Sequence, residues 1–439
     1  MASAPAFAPL ILWTLLVFQS FEFGHSEAFA NVSCFGTERE ALLKFRQGLI
    51  DHSKRLLSWT NKDCCEWKGV ECNEKSGHVF KLDLCNPFCE TLPNGYVSCS
   101  DKSSLADGQI LKNFSSLYKL RVLGLAYNSF DGDVGSIIHG PLESAQSDLR
   151  ICDFSANNFS GHIPNQFGSF RDLEYLSLSE NSMSGPIPVT LGELSSLREL
   201  DLSYNKLSGN IPESIGRLSR LESFYILNNS LDGVVGELHF ANLTSLTYLF
   251  ISANELVLSF DPAWVPPFQL QMIGMSDVGV GPKFPLWLRT QRNISVLFMA
   301  NANISDEVPN WLSDILLNVE WLDLSNNMLK GPISRMDGNK MPLLRYLFLS
   351  GNNLSGSIPN SLWAMENLYY LNLSKNQLSG TLPSLSPISR MDGNKMPPLK
   401  YLYLAGNNLS GSIPNSLCAM ENLFYLDLSK NHLGDYPYV

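Results

Sequence analysis

The stretch LEYLSLSENSMSGPIPVTLGELSSLRELDLSYNKLSGNIP at residues 173–212 decides the fold, because it contains one pattern twice. The frame L-x-x-L-x-L-x-x-N-x-L places leucines at Leu173, Leu176 and Leu178 before Asn181, and it ends again at Asn205. Equivalent positions are Asn128, Asn157, Asn229, Asn254, Asn327, Asn352, Asn376, Asn407 and Asn431, with Val278 and Ala302 in two weaker copies. Most intervals are 24 or 25 residues, which is typical of a leucine-rich repeat.

Each part of this frame has a physical role. The L-x-L alternation predicts a short strand whose leucines point inward, and the asparagine amide can satisfy backbone groups at the following turn. Most units continue L-S-G-x-I-P, as in Leu207–Pro212, where Gly and Pro favour a turn. We predict an α/β leucine-rich-repeat solenoid of about 13–14 repeats, a right-handed superhelix with a parallel β-sheet on its concave face.

The repeat region also contains a duplicated block. Residues 331–376 match residues 386–431 at 38 of 46 positions, and PISRMDGNKMP occurs in both copies, at Pro332–Pro342 and Pro387–Pro397. A solenoid tolerates such a duplication because each unit contacts only its neighbours. We interpret the block as two repeats, one of them lengthened by PISRMDGNKMP. As a loop this segment could contact a ligand or partner, although a tolerated surface insertion is the simpler interpretation.

Residues before the repeats predict export from the cell. Residues 1–30 resemble a signal peptide, since the apolar core Leu10–Phe18 is too short to span a bilayer and Ala28–Ala30 offers a cleavage site. We assign residues 31–77 to an N-terminal cap and residues 78–439 to the repeats. No later run reaches 18 apolar residues, so no transmembrane helix is expected. Thr37 and Glu40 predict a capping box for a helix that ends near Leu49.

Ten N-x-S/T sequons predict a glycosylated surface. They begin at Asn31, Asn113, Asn158, Asn228, Asn242, Asn293, Asn303, Asn353, Asn372 and Asn408. Asn372 lies inside a predicted strand and is expected on the concave face, where a glycan would block part of that face. The duplicated equivalent, Asp427, cannot be glycosylated.

The cysteines also indicate an oxidising compartment. Four of them, Cys34, Cys64, Cys65 and Cys72, lie in the predicted cap. We prefer the pairs Cys34–Cys64 and Cys65–Cys72, although the sequence leaves three connectivities open. A zinc site is the alternative, but adjacent cysteines fit the spacing of a zinc finger poorly. Cys85, Cys89 and Cys99 form an odd-numbered group, so one of their thiols is expected to be free. Cys152 occupies a leucine position of its repeat and is expected to be a buried, inert thiol.

Composition and motifs argue against several functions. The net charge of −11 argues against a nucleic-acid partner. The seven histidines are scattered without H-E-x-x-H, and no G-x-x-x-x-G-K-[ST] phosphate loop is present. Asp201, Asp323 and Asp427 recur at one repeat position, which favours a solvated strand face over a catalytic carboxylate pair. We therefore predict that the chain is not an enzyme and holds no metal or cofactor.

Aromatic residues predict a ligand-binding surface. Residues that flank the inward leucines of each strand point to the concave face by alternation. Those positions hold Tyr225, Tyr248, Phe250, Phe298, Trp321, Tyr346, Phe348, Tyr370, Tyr401, Tyr403 and Tyr425, with Arg345, Lys375 and Lys400 at the edges. Exposed aromatic residues on a rigid scaffold suit a protein, peptide or glycan ligand. In the alternative interpretation, these tyrosines simply cover neighbouring strands.

Three segments carry a resemblance to a known family. CFGTEREALLKFRQGL at residues 34–49 and LLSWTNKDCCEWKGVEC at residues 56–72 resemble the N-terminal cap of plant extracellular leucine-rich-repeat proteins. The segment WVPPFQLQMIGMSDVGVGPKFPLWLRTQRNISVLFMANANISDEVPNWL at residues 264–312 is similar to a segment typical of plant receptor-like proteins in cell-surface immunity. This resemblance implies a glycosylated ectodomain at the plasma membrane, which recognises pathogen-derived or endogenous ligands and signals through a receptor-kinase co-receptor in defence or development.

The C-terminal sequence leaves alternatives open. Family members continue into a closing cap, a transmembrane helix and a short tail, whereas this sequence stops at Val439, soon after Asn431. A secreted, apoplastic inhibitor of microbial cell-wall hydrolases such as polygalacturonases is the first alternative. A truncated product without independent function is the second.

Overall fold

A computed structural model describes residues 33–60, 62–91, 97–99, 104–107, 116–137, 148–363, 365–383, 399–418, 420 and 422–434. The predicted signal peptide, the sequons at Asn31 and Asn113, and the second PISRMDGNKMP copy lie outside these residues. The chain divides into two compact units, Met1–Leu207 and Ser208–Val439.

The N-terminal cap is built on one amphipathic helix. The helix Gly36–Gln47 begins after Phe35, whose side chain makes no capping hydrogen bond, so the predicted capping box starting at Thr37 is wrong. The chain enters the helix earlier than the sequence pattern indicates. The buried face of the helix packs near Trp59 and Trp67, whose stacked rings are 5.2 Å apart. This aromatic pair supplies much of the apolar area that a cap needs in order to shield the first repeat.

Two disulfide bonds cross-link the cap. Cys34 is bonded to Cys64 and Cys65 to Cys72, with a Cα–Cα distance of 5.4 Å in each pair. This is the connectivity preferred from the sequence. The possible ligand atoms of Cys34, Asp63 and Cys65 lie close enough together to hold a metal ion, and no other such group occurs within the described ranges. Both of its sulfur atoms belong to disulfides, so the zinc alternative is wrong.

The other cysteines divide as expected. Cys85 and Cys152 are free thiols, and Cys152 is completely buried. Cys89 is disulfide-bonded, and its Cα lies opposite that of Cys99 in a short antiparallel pair. Burial raises the pKa of the Cys152 thiol well above its usual range, which keeps it protonated and unreactive.

The first unit contains six strands of the main sheet. They are Val70–Cys72, Val79–Asp83, Val122–Gly124, Ile151–Asp153, Tyr175–Ser177 and Glu199–Asp201; the first pair is antiparallel and the later pairs are parallel. Shorter strands are Leu49–Ile50, Cys89–Thr91, Val97–Cys99, Ala106–Asp107, Asp131–Asp133, Asn158–Ser160 and Ser184–Gly185. Short helices are Cys64–Glu66, Val134–Ile137, Asn165–Ser169 and Val189–Glu193. The middle residue is fully buried in each three-residue parallel strand of the main sheet in this unit, and in Val79–Asp83 the fully buried residue in register with those is Leu82.

The second unit has nine parallel strands in its main sheet. They are Ser223–Tyr225, Tyr248–Phe250, Met272–Gly274, Val296–Phe298, Trp321–Asp323, Tyr346–Phe348, Tyr370–Asn372, Tyr401–Tyr403 and Tyr425–Asp427. Secondary strands are Ser230–Val235, Glu255–Leu258, Lys330–Pro332, Asn353–Gly356, Gln377–Thr381, Asn408–Gly411 and His432–Leu433, while Lys206–Asn210 contains the boundary between the units. Short helices are Glu213–Arg217, Glu237–Phe240, Leu286–Thr290, Leu312–Ile315, Ile333–Arg335, Gly338–Lys340, Asn360–Trp363 and Asn415–Cys418. Both units therefore have leucine-rich-repeat architecture, which confirms the predicted fold class.

Buried asparagines connect successive repeats. Asn352 Nδ2 donates to the carbonyl oxygens of Leu324 at 3.0 Å and Leu349 at 3.1 Å, and its Oδ1 accepts from Leu329 N–H at 3.0 Å. The same arrangement recurs at Asn128, Asn157, Asn181, Asn205, Asn254, Asn327, Asn376, Asn407 and Asn431. Each amide thus satisfies backbone groups at the turn, which confirms the role predicted for this position.

The first PISRMDGNKMP copy is a packed part of its repeat. Ile333, Met336 and Met341 are fully buried, and the segment forms two short helices. A Cβ atom on Gly338 would lie 2.3 Å from the backbone oxygen of Ser361, so the chain is closely packed there. The prediction of a surface loop is therefore wrong for this copy. Residues 329–334 (LKGPIS) take the place of L-S-G-x-I-P in this repeat, and Asn327 and Asn352 are 25 residues apart, so the repeat keeps its ordinary length.

Candidate ligand-binding surface

Five aromatic rings form a continuous stack on the solvent side of the second unit's sheet. The ring centroids of Trp321 and Phe348 are 6.1 Å apart, and those of Phe348 and Tyr370 are 4.6 Å apart. The series continues to Tyr403 at 5.2 Å and to Tyr425 at 4.8 Å. Consecutive ring planes differ by 16–31°. We call these five residues the aromatic stack; it exists because alternation sends these side chains away from the buried leucines of each strand.

Four more rings widen this surface. Tyr346 stacks on Trp321 at 4.3 Å. Tyr369 lies 5.6 Å from Tyr346, Tyr401 lies 5.7 Å from Tyr369, and Phe424 lies 5.8 Å from Tyr401. We call the aromatic stack together with these four residues the aromatic platform.

The sequence pattern missed Tyr369 and Phe424. Both residues precede their strands rather than flanking the central leucine, so strict alternation does not select them. Their equivalence in the duplicated block was the signal that could have found them, because it places an aromatic residue twice at one repeat position.

The platform is only partly open to water. Tyr425 is 45% exposed and Phe424 is 79% exposed, whereas Phe348 is 7% exposed beneath its neighbours. Trp321, Tyr346, Tyr370, Tyr401 and Tyr403 are half-buried. Burial raises the pKa of Tyr370 well above its ordinary value, and a hydrogen bond with Tyr403 adds to the effect. The Tyr370 hydroxyl therefore remains protonated at physiological pH.

The earlier aromatic positions are buried. Tyr225, Tyr248, Phe250 and Phe298 are each 9% exposed or less. The ring of Phe250 occupies the space above Gly274, where a Cβ atom would lie 2.3 Å from that ring. The predicted exposure of these four residues is therefore wrong, and the alternative, in which such residues cover neighbouring strands, describes them.

Cations border the platform on both edges. Arg345 is exposed, with its guanidinium 3.9 Å from the carboxylate of Glu320. Lys400 holds its ammonium 5.3 Å from the centre of the Tyr369 ring, and Lys375 is exposed on the turn after the strand Tyr370–Asn372. These contacts are weak in water, so the charges remain available to a ligand.

The sequon at Asn372 lies within the platform. Its Oδ1 accepts from Ser374 N–H at 3.1 Å and from Ser374 Oγ at 2.7 Å, and strand register places Asn372 between Phe348 and Tyr403. Asn372 is half-buried, whereas the other described sequon asparagines are exposed: Asn158, Asn228, Asn242, Asn293, Asn303, Asn353 and Asn408. Glycosylation of all these residues remains a prediction.

In the sheet of the first unit, Asp153 and Asp201 stand at the strand position that Phe348 and Tyr403 hold in the second unit. Asp153 is 5% exposed, and its Oδ1 accepts from Ser155 N–H at 3.0 Å and from Ser155 Oγ at 2.6 Å. Burial raises the pKa of Asp153 to about 6 despite these bonds, and burial also raises the pKa of Asp201. The expected solvation of Asp201 is wrong. Its side chain is 9% exposed because packed neighbours exclude water.

Family models match both the cap and the repeats. The leucine rich repeat N-terminal domain matches residues 36–73, and leucine rich repeat models match residues 147–207, 343–365, 367–387 and 393–433. None of the helices in the described ranges is both long and apolar enough to cross a membrane.

The chain is similar in sequence to several plant receptor-like proteins. Receptor-like proteins EIX2 and EIX1 of Solanum lycopersicum are 43% and 42% identical over 125 residues, which are 28% of this chain and 12% of either relative. Receptor-like protein 15 of Arabidopsis thaliana is 34% identical over 163 residues, which are 32% of this chain and 16% of that protein. The match therefore spans a small part of each relative's length. These matches confirm the resemblance noted in the sequence.

Solved structures give the same picture of the fold. The crystal structure of PEPR1-AtPEP1 is 25% identical with a TM-score of 0.61, and it covers 91% of this chain and 62% of that one. A TDR receptor structure is 28% identical with a TM-score of 0.64, and it covers 74% of this chain and 54% of that one.

Proposed function

We propose that this leucine-rich-repeat chain, similar to plant receptor-like proteins, is a ligand-recognition ectodomain at the outer face of the plasma membrane. The relatives are named receptor-like proteins, and one similar structure is that of a TDR receptor. Ten sequons and the disulfide-linked cap suit an extracellular site of action. Its role is to bind a ligand in defence or developmental signalling, with a receptor kinase as the co-receptor that the family resemblance implies.

The aromatic platform is the observation that carries this proposal. Nine aromatic rings lie together on one sheet, and the contacting rings hold one another in fixed positions. Aromatic residues contribute large contact areas at a low cost in side-chain entropy, and they dominate the energetic centres of protein interfaces. A contiguous exposed aromatic surface of this kind is typical of an interaction site.

The acidic residues of the first unit support binding rather than catalysis. Asp153 and Asp201 are the strongest candidates for acid–base chemistry because burial raises the pKa of each. Both are at least nine-tenths buried, so a substrate could not reach their oxygen atoms. Asp153 accepts from Ser155 in its own turn, and Asp201 bonds to Ser203 in its own turn and to Ser179 of the preceding repeat, which indicates a structural role. We therefore propose that the chain is not an enzyme.

The proposal is tested by removing three platform rings together. Random-sequence peptides displayed on phage are selected on the full chain and then measured on a Trp321→Ala/Tyr346→Ala/Tyr370→Ala variant. We expect the selected peptides to lose at least about tenfold in affinity, since buried aromatic anchors contribute about 2 kcal/mol or more each. Circular dichroism and urea unfolding check that the repeats of the variant remain folded.

A matched control removes exposed apolar side chains elsewhere in the same unit. Val234, Leu238 and Val257 are 61%, 60% and 47% exposed and lie outside the platform. Their alanine variant should retain the selected peptides. Equal binding by wild type and the platform variant would contradict the assignment of the site. Dose-dependent inhibition of a fungal polygalacturonase by the wild-type chain would instead support the inhibitor alternative.

A further inference from the structure

The duplicated block repeats one set of surface side chains in three dimensions. We call these two sets the first and second half-sites. The first half-site comprises Arg345, Tyr346, Phe348, Tyr370 and Lys375, and the second comprises Lys400, Tyr401, Tyr403, Tyr425 and Lys430. Each half-site has a cation before the first strand, three aromatic rings on two strands, and a lysine on the second turn. The duplication therefore copied a complete local chemistry and not only the repeat framework.

Strand register sets the distance between the half-sites. Tyr346 pairs with Tyr370, which pairs with Tyr401, which pairs with Tyr425. Equivalent residues are consequently two strands apart. Neighbouring strands lie about 4.8 Å apart, so the half-sites repeat at about 10 Å along the sheet.

The aromatic stack presents ring edges rather than ring faces. The two faces of Tyr370 are occupied by Phe348 and Tyr403, and the Tyr403 ring lies between Tyr370 and Tyr425. A sugar or proline ring needs an open aromatic face on which to lie, and this part of the stack leaves none. Ring edges carry a partial positive charge, and tyrosine hydroxyls donate hydrogen bonds. The outward surface therefore favours a ligand rich in acceptor oxygens.

The charges that border the aromatic stack also favour a ligand rich in acceptor oxygens. Each half-site carries two cations, Arg345 and Lys375 in the first and Lys400 and Lys430 in the second, although the whole chain has a net charge of −11. Asp323, at the edge of the first half-site, is held in its own turn by Ser325, and burial raises its pKa. Glu320 lies 3.9 Å from Arg345, and Asp427 is half-buried and in register with Tyr403, so the four cations of the half-sites still outnumber these neighbouring carboxylates.

We propose that the two half-sites bind two acidic side chains placed three residues apart on a peptide in the polyproline II conformation that crosses the strands. This inference rests on the proposed function and specifies its ligand. A polyproline II chain has three residues per turn and advances about 3.1 Å per residue, so positions i and i+3 point to the same side, lie about 9 Å apart and match the spacing of the half-sites. Positions i and i+2 or i and i+4 point to different sides of such a chain, so neither pair places a carboxylate in both half-sites.

Synthetic peptides of fixed composition test the spacing. Fluorescence anisotropy on the full chain compares Gly/Ser peptides that contain two glutamates at intervals of two, three, four or five residues. We expect the tightest binding at an interval of three, weaker binding in higher salt, and loss of binding when both glutamates are replaced by glutamine. Equal binding at every interval, or undiminished binding of the glutamine peptide, would overturn the proposal, as would no binding by any of the peptides.

Charge removal on the protein tests the two half-sites separately. Arg345→Gln and Lys400→Gln should each weaken the three-interval peptide about three- to fivefold, as expected for solvent-exposed ion pairs. Both substitutions should weaken binding, because each removes the cation of one half-site, although Arg345 lies beside Glu320 and Lys400 beside the Tyr369 ring. Lys283→Gln is the matched control, since Lys283 is an exposed cation of the same unit outside both half-sites, and this change should leave binding unaltered.

Two further outcomes separate this inference from the proposed function. Tight binding of an oligogalacturonate with no binding of any peptide would overturn the proposal of a peptide ligand. It would indicate that the ligand is an acidic polysaccharide. If the triple platform variant loses the phage-selected peptides while glutamate spacing has no effect, only the present inference fails. If the triple variant keeps those peptides, the proposed site itself fails.

Discussion

The buried carboxyl group of Asp153 should make the first unit less stable as the pH rises. Its side chain is 5% exposed, and burial raises its pKa from an ordinary value of 3.8 to about 6. The folded protein therefore holds this proton more tightly than the unfolded chain does. The contribution of Asp153 to the unfolding free energy is fully present below about pH 4 and is lost as the pH rises through about 6.

The size of the effect follows from the shift. Each pKa unit corresponds to about 1.4 kcal/mol, so a shift of about two units gives about 3 kcal/mol. Asp153→Asn removes the titration while keeping a side chain that accepts the same bonds from Ser155. Another repeat already has an asparagine at this position, because Asn372 Oδ1 accepts hydrogen bonds from Ser374 N–H and Ser374 Oγ. The substitution should therefore fold without strain.

Urea unfolding of wild type and variant should be measured at about pH 4 and at about pH 7.5. We expect the variant to gain about 2.5 kcal/mol relative to wild type between the two conditions, because about 0.5 kcal/mol of the full effect is already lost at about pH 4. The change creates an N-x-S sequon with Phe154 and Ser155, so both proteins should be made in the bacterial periplasm, where disulfides form without N-glycosylation.

Asp427→Asn is the matched control for this experiment. Asp427 accepts the same turn hydrogen bond, from Ser429 N–H at 3.0 Å, but it is half-buried instead of enclosed. Its substitution should change stability by a similar small amount at both pH values. A constant difference between wild type and Asp153→Asn across the two pH values would refute the reasoning, because it would mean that burial does not alter titration at Asp153.

Three further predictions concern other parts of the repeat region. Asn352→Ala should lower the unfolding free energy by about 2–4 kcal/mol in urea titrations, because three backbone groups lose their buried partner; a loss below about 0.5 kcal/mol would contradict this role. Gly338→Ala should cost about 1–3 kcal/mol, since its Cβ would meet the Ser361 carbonyl, whereas an unaffected midpoint would argue for the loop interpretation. Asn372→Asp, a substitution that copies Asp427, should leave the intact mass of the protein from plant cells unchanged, because a glycan on Asn372 would block the platform; a fall by one N-glycan would contradict the platform as the binding site.

Local sequence determined the repeat framework because its information lies within single repeats. The position of Asn352, three residues after an inward leucine, predicts both its burial and its backbone bonds. Alternation likewise predicts that Tyr346 and Tyr370 leave the sheet on the solvent side. The cap disulfides could be preferred from the sequence but not proved, because three connectivities were available.

Only the tertiary structure decided which side chains meet water. Phe250 and Phe348 occupy the same position in their strands as Tyr403, yet both are buried while Tyr403 is half-buried. Asp153 is enclosed although Asp323, at the same repeat position, is half-buried. These outcomes depend on side chains one repeat away, such as the missing side chain of Gly274 beside Phe250. A repeat pattern specifies direction from a strand, whereas exposure depends on packing between strands about 24 residues apart in sequence.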